Sequence, residues 1–436
     1  MNIWIRKIWE SLRANYWFVP SLMVLIAIVC ALSLVAFDRS IVAGGDVDLP
    51  SWIYAGGAEG ARNVLSAVAA AMMSVTSVVF SITIVALTLA SGQFGPRLLR
   101  NFMTDRGSQI TLGVFVATFV YALLILRTIR GGEEAFVPQV AATFALALAV
   151  LSTGVLIYFV HHIAEMIQAD QIVSAVDAEL RVTIDRLFPE ELPEDGRQIS
   201  DLPEDFDEKA EPVVVDHGDY IQGIDLGDIT DLAAKHDIIV RFTHRPGNFV
   251  ADGDRFALVY PKLDDAVRSR IRLLTIFGNS RTPTQDVEYG ILQLVEVAVR
   301  SLSPGINDPF TAIACIDRLG SAIRRLSCRP EAPMQRHDDA GNLRVVLNGT
   351  TFDGHVNSAF NQIRQNARGS TAILIRLIQV LISIAEVADS PDRRDVIRRQ
   401  SEMVAQTARR DILQTHDLAD FEEYYARLLT TLDDAE

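Results

Sequence analysis

Val64–Ala90 reads VLSAVAAAMMSVTSVVFSITIVALTLA, with no charged side chain in the run. A bilayer core about 30 Å thick takes about 20 residues of helix, so this stretch is long enough to cross it. Its polar residues are not scattered. Ser74, Ser77, Ser81 and Thr88 recur at steps of three, four and seven, which sets them on one helix face, and Ser91 extends it. Val75, Val79, Ile82 and Leu89 point elsewhere. The reading of this stretch decides the fold class: a membrane helix with one polar face.

Three further stretches meet the same length criterion, roughly Trp17–Phe37, Ile110–Leu126 and Phe136–Val160. The chain is thus split. Its first 160 residues or so are mostly apolar, and the remainder reads as a charged soluble protein that holds the acidic excess behind the net charge of −15. That acidic excess argues against a nucleic-acid surface. Three cysteines without a CxxC pair offer neither a disulfide framework nor a zinc site. Arg6, Lys7 and Arg13 precede the first apolar run as they would in a signal peptide, but the run is long for one, and an uncleaved anchor is expected. Trp4, Ile5, Ile8, Trp9 and Leu12 fall at helical spacing in residues 1–15, the pattern of a helix lying in the membrane interface.

Arginine and lysine collect in the N-terminal arm and in the 91–109 loop, as Arg97, Arg100 and Arg106, whereas the other two loops balance their arginines with acids. The positive-inside rule then sets both termini, the 91–109 loop and the large C-terminal region in the cytoplasm, as in a multi-pass membrane protein. The second span ends in Gln93-Phe94-Gly95-Pro96-Arg97, where Gly-Pro breaks the helix and Arg97 and Arg100 meet the membrane–cytoplasm junction. His162 and Glu165 at the exit of the fourth span are three residues apart, with no third ligand placed, so no metal is expected.

The helix leaving the fourth span is expected to run on to Leu187. Pro189–Pro212, with ten acidic residues, is expected to be a solvated linker. From Val213 the period becomes that of strands, with candidates at Val213–Val215, Tyr220-Ile221, Ile238–Phe242 and Phe256–Tyr260, and a short helix Leu226–Ala234 between them. The stretch Tyr220-Ile221-Gln222-Gly223-Ile224-Asp225 … Arg245-Pro246-Gly247-Asn248-Phe249-Val250-x-x-Gly253 resembles the half-barrel of lipoyl-type sandwich hybrids but has no Met-Lys or Asp-Lys hairpin tip, so a structural or recognition role is expected of the β module. Helices follow. Thr282-Pro283 is expected to start one that reaches Ser301, and Asp308-Pro309 to start a second that ends near Leu326. A hairpin of Leu343–Val346 with Thr350–Phe352 is expected to turn at Asn348-Gly349. Helices Asn357–Ala388, Pro391–Gln414 and Leu418–Leu432 complete the chain.

The expected fold class is therefore an α-helical membrane domain of about four transmembrane helices plus a cytoplasmic α+β domain, with a small β sandwich or barrel module and a helical C-terminal part. The expected divisions are 1–15, 16–165, 166–212, 213–280 and 281–436.

Two motifs carry a family resemblance. Gln285-Asp286-x-Glu288-Tyr289-Gly290-Ile291-x-Gln293-Leu294-Val295, followed by Ser303-Pro304-Gly305-Ile306-Asn307-Asp308-Pro309-x-Thr311-Ala312, is similar to the signature of a bacterial family of predicted membrane proteins, catalogued as domain of unknown function number 2254. Gln93-Phe94-x-Pro96-Arg97 resembles its membrane motif. Gly95 stands where the pattern has Ser, and Tyr289 where it has Phe. The resemblance covers nearly the whole chain. It implies an inner-membrane location and supplies no activity and no site residues.

Three functions compete at this level. In a homo-oligomeric channel, the hydroxyl faces of several second spans line a path that four spans are too few to enclose alone, with the cytoplasmic domain as a vestibule. The competing account of the stripe is close helix packing. In a membrane-anchored sensor or scaffold, Gln285, Asp286, Gln293, Asn307, Asp308 and Thr311 bind a ligand or partner; their plainer role is capping. An enzyme is not expected, since no nucleophile elbow, phosphate loop or metal spacing occurs, and no catalytic residue, metal or cofactor is assigned. The expected partners are the lipid bilayer and further copies of the chain.

Overall fold

The computed structural model describes residues 16–44, 50, 53, 56–95, 102, 105–131, 136–191, 200–262, 264–331, 334–367 and 369–434. The expected interfacial arm 1–15 and residues Arg97 and Arg100 lie outside them. The chain divides into two compact units, Met1–Gln171 and Ile172–Glu436.

The first unit holds α1 (Phe18–Gly44), α2 (Ala58–Phe94), α3 (Arg106–Thr128) and α4 (Gln139–Met166). All four are long and apolar enough to cross a membrane. Half of the apolar stretch of α3 is buried, against 22% to 28% for the others, so α3 is the central helix on which the rest pack. The reason is local. Gly113 lets Pro20 and Met23 of α1 approach the α3 backbone, where a Cβ would collide with the Met23 sulfur. Tyr121 and Ile125 are fully buried, and the Tyr121 hydroxyl donates to Ala141 O at 2.9 Å. The starts of α3 and α4 each find a carboxylate acceptor. Asp105 caps α3 through Ser108 N at 2.7 Å. Pro138 gives α4 no side-chain cap. Asp38, from the far end of α1, accepts there from Val140 N at 3.1 Å and Ala141 N at 2.9 Å.

The second unit takes α5 (Ala169–Leu187) from Ile172 onward, and then α6 (Phe206–Lys209). The strands are β1 (Glu211–Val214), β2 (Asp219–Ile224), β3 (Ile239–Phe242), β4 (Phe249–Val250), β5 (Arg255–Tyr260) and β6 (Thr275–Gly278), with helices α7 (Leu226–His236) and α8 (Asp265–Leu274) among them. Then come α9 (Val287–Ser301), α10 (Pro309–Ser327), β7 (Gln335–His337), β8 (Leu343–Val346), α11 (Phe352–Asn366), α12 (Thr371–Ala385), α13 (Pro391–Asp411) and α14 (Thr415–Asp433). One sheet runs β1-β5-β3-β8-β7, antiparallel except for β3 with β8; the other is an antiparallel β4-β2-β6. Both sheets, α7 and α8 share one core built on residues such as Val213, Ile221, Phe242, Val250, Phe256 and Ile271.

Several expectations are corrected. The helix expected to run through to Leu187 breaks at Ile167-Gln168. The acidic segment is not a linker throughout, because Phe206 is buried and stacks on Tyr260, and β1 already starts at Glu211. The helix expected from Pro283 starts at Val287, with Asp286 as its cap. The hairpin pairs β7 with β8, not Leu343–Val346 with Thr350–Phe352. Its turn is fixed by Asp338, which accepts from Ala340 N, Asn342 N and Arg344 Nε. Asn348 instead ties the chain to Thr243 O at 3.0 Å. Through β8 the C-terminal half adds two strands to the main sheet. The single helix expected over Asn357–Ala388 is two, parted at Gly369, whose φ of +74° a residue with a Cβ resists. Of the two, α12 is apolar on nearly all sides because it is buried on nearly all sides, with Ile373, Leu374, Leu377 and Ile378 fully inaccessible.

Candidate functional site

Ser74, Ser77, Ser81 and Thr88 are all exposed in the chain. Each hydroxyl donates to its own helix, to Ala70 O, Met73 O, Ser77 O and Ile84 O, at 2.9 to 3.1 Å. That satisfies the hydroxyls without water, so their polarity alone does not demand a wet environment. Their position says more. The buried residues of α2 are Ala61, Leu65, Ala69, Met72, Val79, Thr83, Ala86, Ala90 and Phe94. At about 100° per residue the hydroxyl face is centred on the opposite side of the helix. The same outer line continues upward through the exposed Ala70 and Ala67. Ala67, Ser74, Ser81 and Thr88 are spaced by seven, as are Ala70 and Ser77. A heptad of small side chains was legible once the alanines were counted with the hydroxyls. Gln93 is exposed in the last turn of α2, and Gly95, at φ +109°, closes the helix by donating to Ser91 O. At the far end of α4, His162 pairs with Asp105 at 3.0 Å and His161 with Glu165 at 3.2 Å.

The signature residues of the second unit separate into two groups. Gln285 does not cap a helix. Its amide clamps one residue of β2, accepting from Ile224 N at 2.8 Å and donating to Ile224 O at 3.0 Å. Asp286 is buried, accepts from Tyr289 N at 3.1 Å as the α9 cap, and takes both Arg281 Nε at 2.8 Å and Nη2 at 3.0 Å. Asn307, Asp308 and Thr311 sit at the other end of α9, about 20 Å away by helix rise. Asn307 is exposed in the left-handed conformation, with φ +51°. Asp308 caps α10 through Phe310 N and Thr311 N, and the Thr311 hydroxyl donates to it at 2.5 Å. Gln293, midway, is buried, and its carbonyl oxygen has no partner among the described residues. The six therefore do not form one site.

What gathers instead is a cluster around Asp286 and Glu288. Glu288 Oε2 accepts from Arg245 at 3.1 Å and Arg281 at 3.0 Å, and Oε1 accepts from the Ser358 hydroxyl at 2.7 Å. Burial alone would raise the Glu288 carboxyl, but Ser358 and the two guanidinium groups hold it down to about 2. At Asp286 burial prevails and raises the carboxyl above its ordinary value despite Arg281. One turn from Ser358 on α11, His355 is buried against the Phe188 ring, and burial pulls its imidazole down to about 4. The sequence showed Glu288 within the signature. It gave no sign of Arg245, Arg281, His355 or Ser358, which come from a turn, a loop and α11.

The family model for predicted membrane proteins (DUF2254) matches residues 13–383. Similar curated relatives are uncharacterized proteins of Mycobacterium tuberculosis, strain H37Rv, and of Mycobacterium bovis. Each is 33% identical over 368 residues, covering 82% of this chain and 70% of the relative. No solved structure matches the chain.

Proposed function

From the premise that the chain belongs to the DUF2254 family of predicted membrane proteins, we propose that it works as a homo-oligomer in the bacterial inner membrane, with α2 of each copy facing α2 of its neighbours. One observation carries this reading: α2 has a second face of small and hydroxylated residues that its own unit does not use. In lipid there is no hydrophobic gain from pairing two helices, so association draws on close van der Waals contact, which small side chains at heptad spacing allow. Several such faces around an axis form a narrow path lined by Ser74, Ser77, Ser81 and Thr88, the arrangement of a channel or transport pore. The α+β unit, on the cytoplasmic side by the arginine distribution, would serve as its vestibule or gate.

The test is a cysteine scan of α2 in a chain whose Cys30, Cys315 and Cys328 are replaced by Ser. Oxidative cross-linking in membranes is expected at 70, 74, 77, 81 and 88, and not at Met73 or Phe80. Cross-linking without that period, or none, removes the reading. If the period appears, proteoliposomes should show solute flux that Ser77→Trp blocks. Flux insensitive to that change would separate the oligomer from the pore.

A further inference from the structure

We propose that the second unit holds a binding site for a small organic carboxylate with a compact apolar body, in the cavity between β2, α9, the β7–β8 hairpin and α11. The site is independent of the α2 face, and either can fail alone. The cavity measures about 160 Å³. Most of its wall is apolar, with Leu187, Phe188, Met334 and Leu347 among the contributors. An apolar cavity of this size accepts a body about as large as a benzene ring.

Two features distinguish it from a packing defect. His355 lines the cavity, is 3% exposed, and neither of its ring nitrogens has a hydrogen-bond partner among the described residues. A buried imidazole left unpaired forfeits the hydrogen bonds it had in water, so such groups in native proteins are nearly always paired, and a ligand is one way to pair this one. Arg336 of β7 also lines the cavity, and its guanidinium makes no ion pair or hydrogen bond among the described residues. Arg245 lines it too, with one guanidinium nitrogen on Glu288 and no other side-chain hydrogen bond among the described residues.

The charges select the ligand class. Among the described residues the wall's carboxylate, Asp286, is already matched by Arg281 and a backbone N–H, and the Arg245 charge is matched by Glu288, so the guanidinium left without a counter-charge is that of Arg336, beside a neutral imidazole. A carboxylate suits a planar guanidinium, which binds its two oxygens in parallel. A doubly charged phosphate would be poorly hosted by walls that are mainly hydrocarbon.

The experiment uses the full chain in detergent micelles and follows the ¹⁹F line of 4-fluorobenzoate. Saturable broadening, displaced by excess benzoate, is expected. Arg336→Gln should weaken it at least tenfold, and His355→Phe, which fills the cavity, should abolish it. Arg336 is half-buried on a hairpin strand, so its variant keeps the test valid if His355→Phe does not fold. 4-Fluorobenzamide should not bind. No displaceable broadening, broadening that Arg336→Gln leaves unchanged, or equal binding of the amide would each overturn the proposal. Inorganic phosphate that displaces 4-fluorobenzoate at equal concentration would overturn the assigned ligand class.

Discussion

Replacing Glu288 with Gln removes one negative charge from between Arg245 and Arg281 while keeping an oxygen for the Ser358 hydroxyl. The size of the effect follows from the carboxyl's own titration. It is held down to about 2 from an ordinary 4.5. At about 1.4 kcal/mol per tenfold change in proton affinity this corresponds to about 3.4 kcal/mol, which partial exposure of the cluster reduces to about 2 kcal/mol. The charge ties α9 to α11 and to the Arg245 turn, so the loss should be felt there first. Amide hydrogen exchange of the full chain at pH 7 should show α9 and α11 opening roughly 30-fold more often in Glu288→Gln, as 2 kcal/mol requires. The pH dependence has a definite sign. A depressed carboxyl contributes its stability above about pH 4.5 and loses it as pH falls toward 2, so the difference between variant and parent should shrink across that window. Exchange in α9 and α11 unchanged within threefold at pH 7 would refute the electrostatic account of the cluster.

His355 should make its own pH signature. Its folded value near 4 lies below the ordinary 6.5, so the unfolded chain binds the extra proton between them. Stability should be full above about pH 6.5 and fall by about 3 kcal/mol as pH approaches 4. His355→Leu should flatten that part of the curve in thermal unfolding, and an unaltered slope would show that the imidazole does not titrate as its burial implies. Gly320→Ala tests the helical core: a Cβ there meets the Val380 side chain across the α10–α12 contact, and the overpacking should cost about 1–3 kcal/mol of thermal stability. A neutral Gly320→Ala would mean that α12 shifts freely against α10.

The sequence by itself determined what local pattern can carry. Four charge-poor runs made four apolar helices, because span length follows from bilayer thickness and helix rise. Asp308-Pro309 marked the start of α10, because a cap and a first-turn proline act within four residues. The signature residues marked the family. Features that depend on partners distant in the chain were decided only by the tertiary structure. Gln285 looked like a capping residue and instead clamps Ile224, 61 positions away. The hairpin expected within a helical region joined Leu343–Val346 to Thr350–Phe352, yet that first strand, β8, pairs with β7 and lies beside β3, more than a hundred positions earlier. The Glu288 cluster joins a turn, a loop and two helices whose separate sequences carry no mark of it. The polar face of α2 was visible from spacing alone. That it turns away from its own unit was not, because every α2 residue competes for a place against α3 and only packing shows which face won.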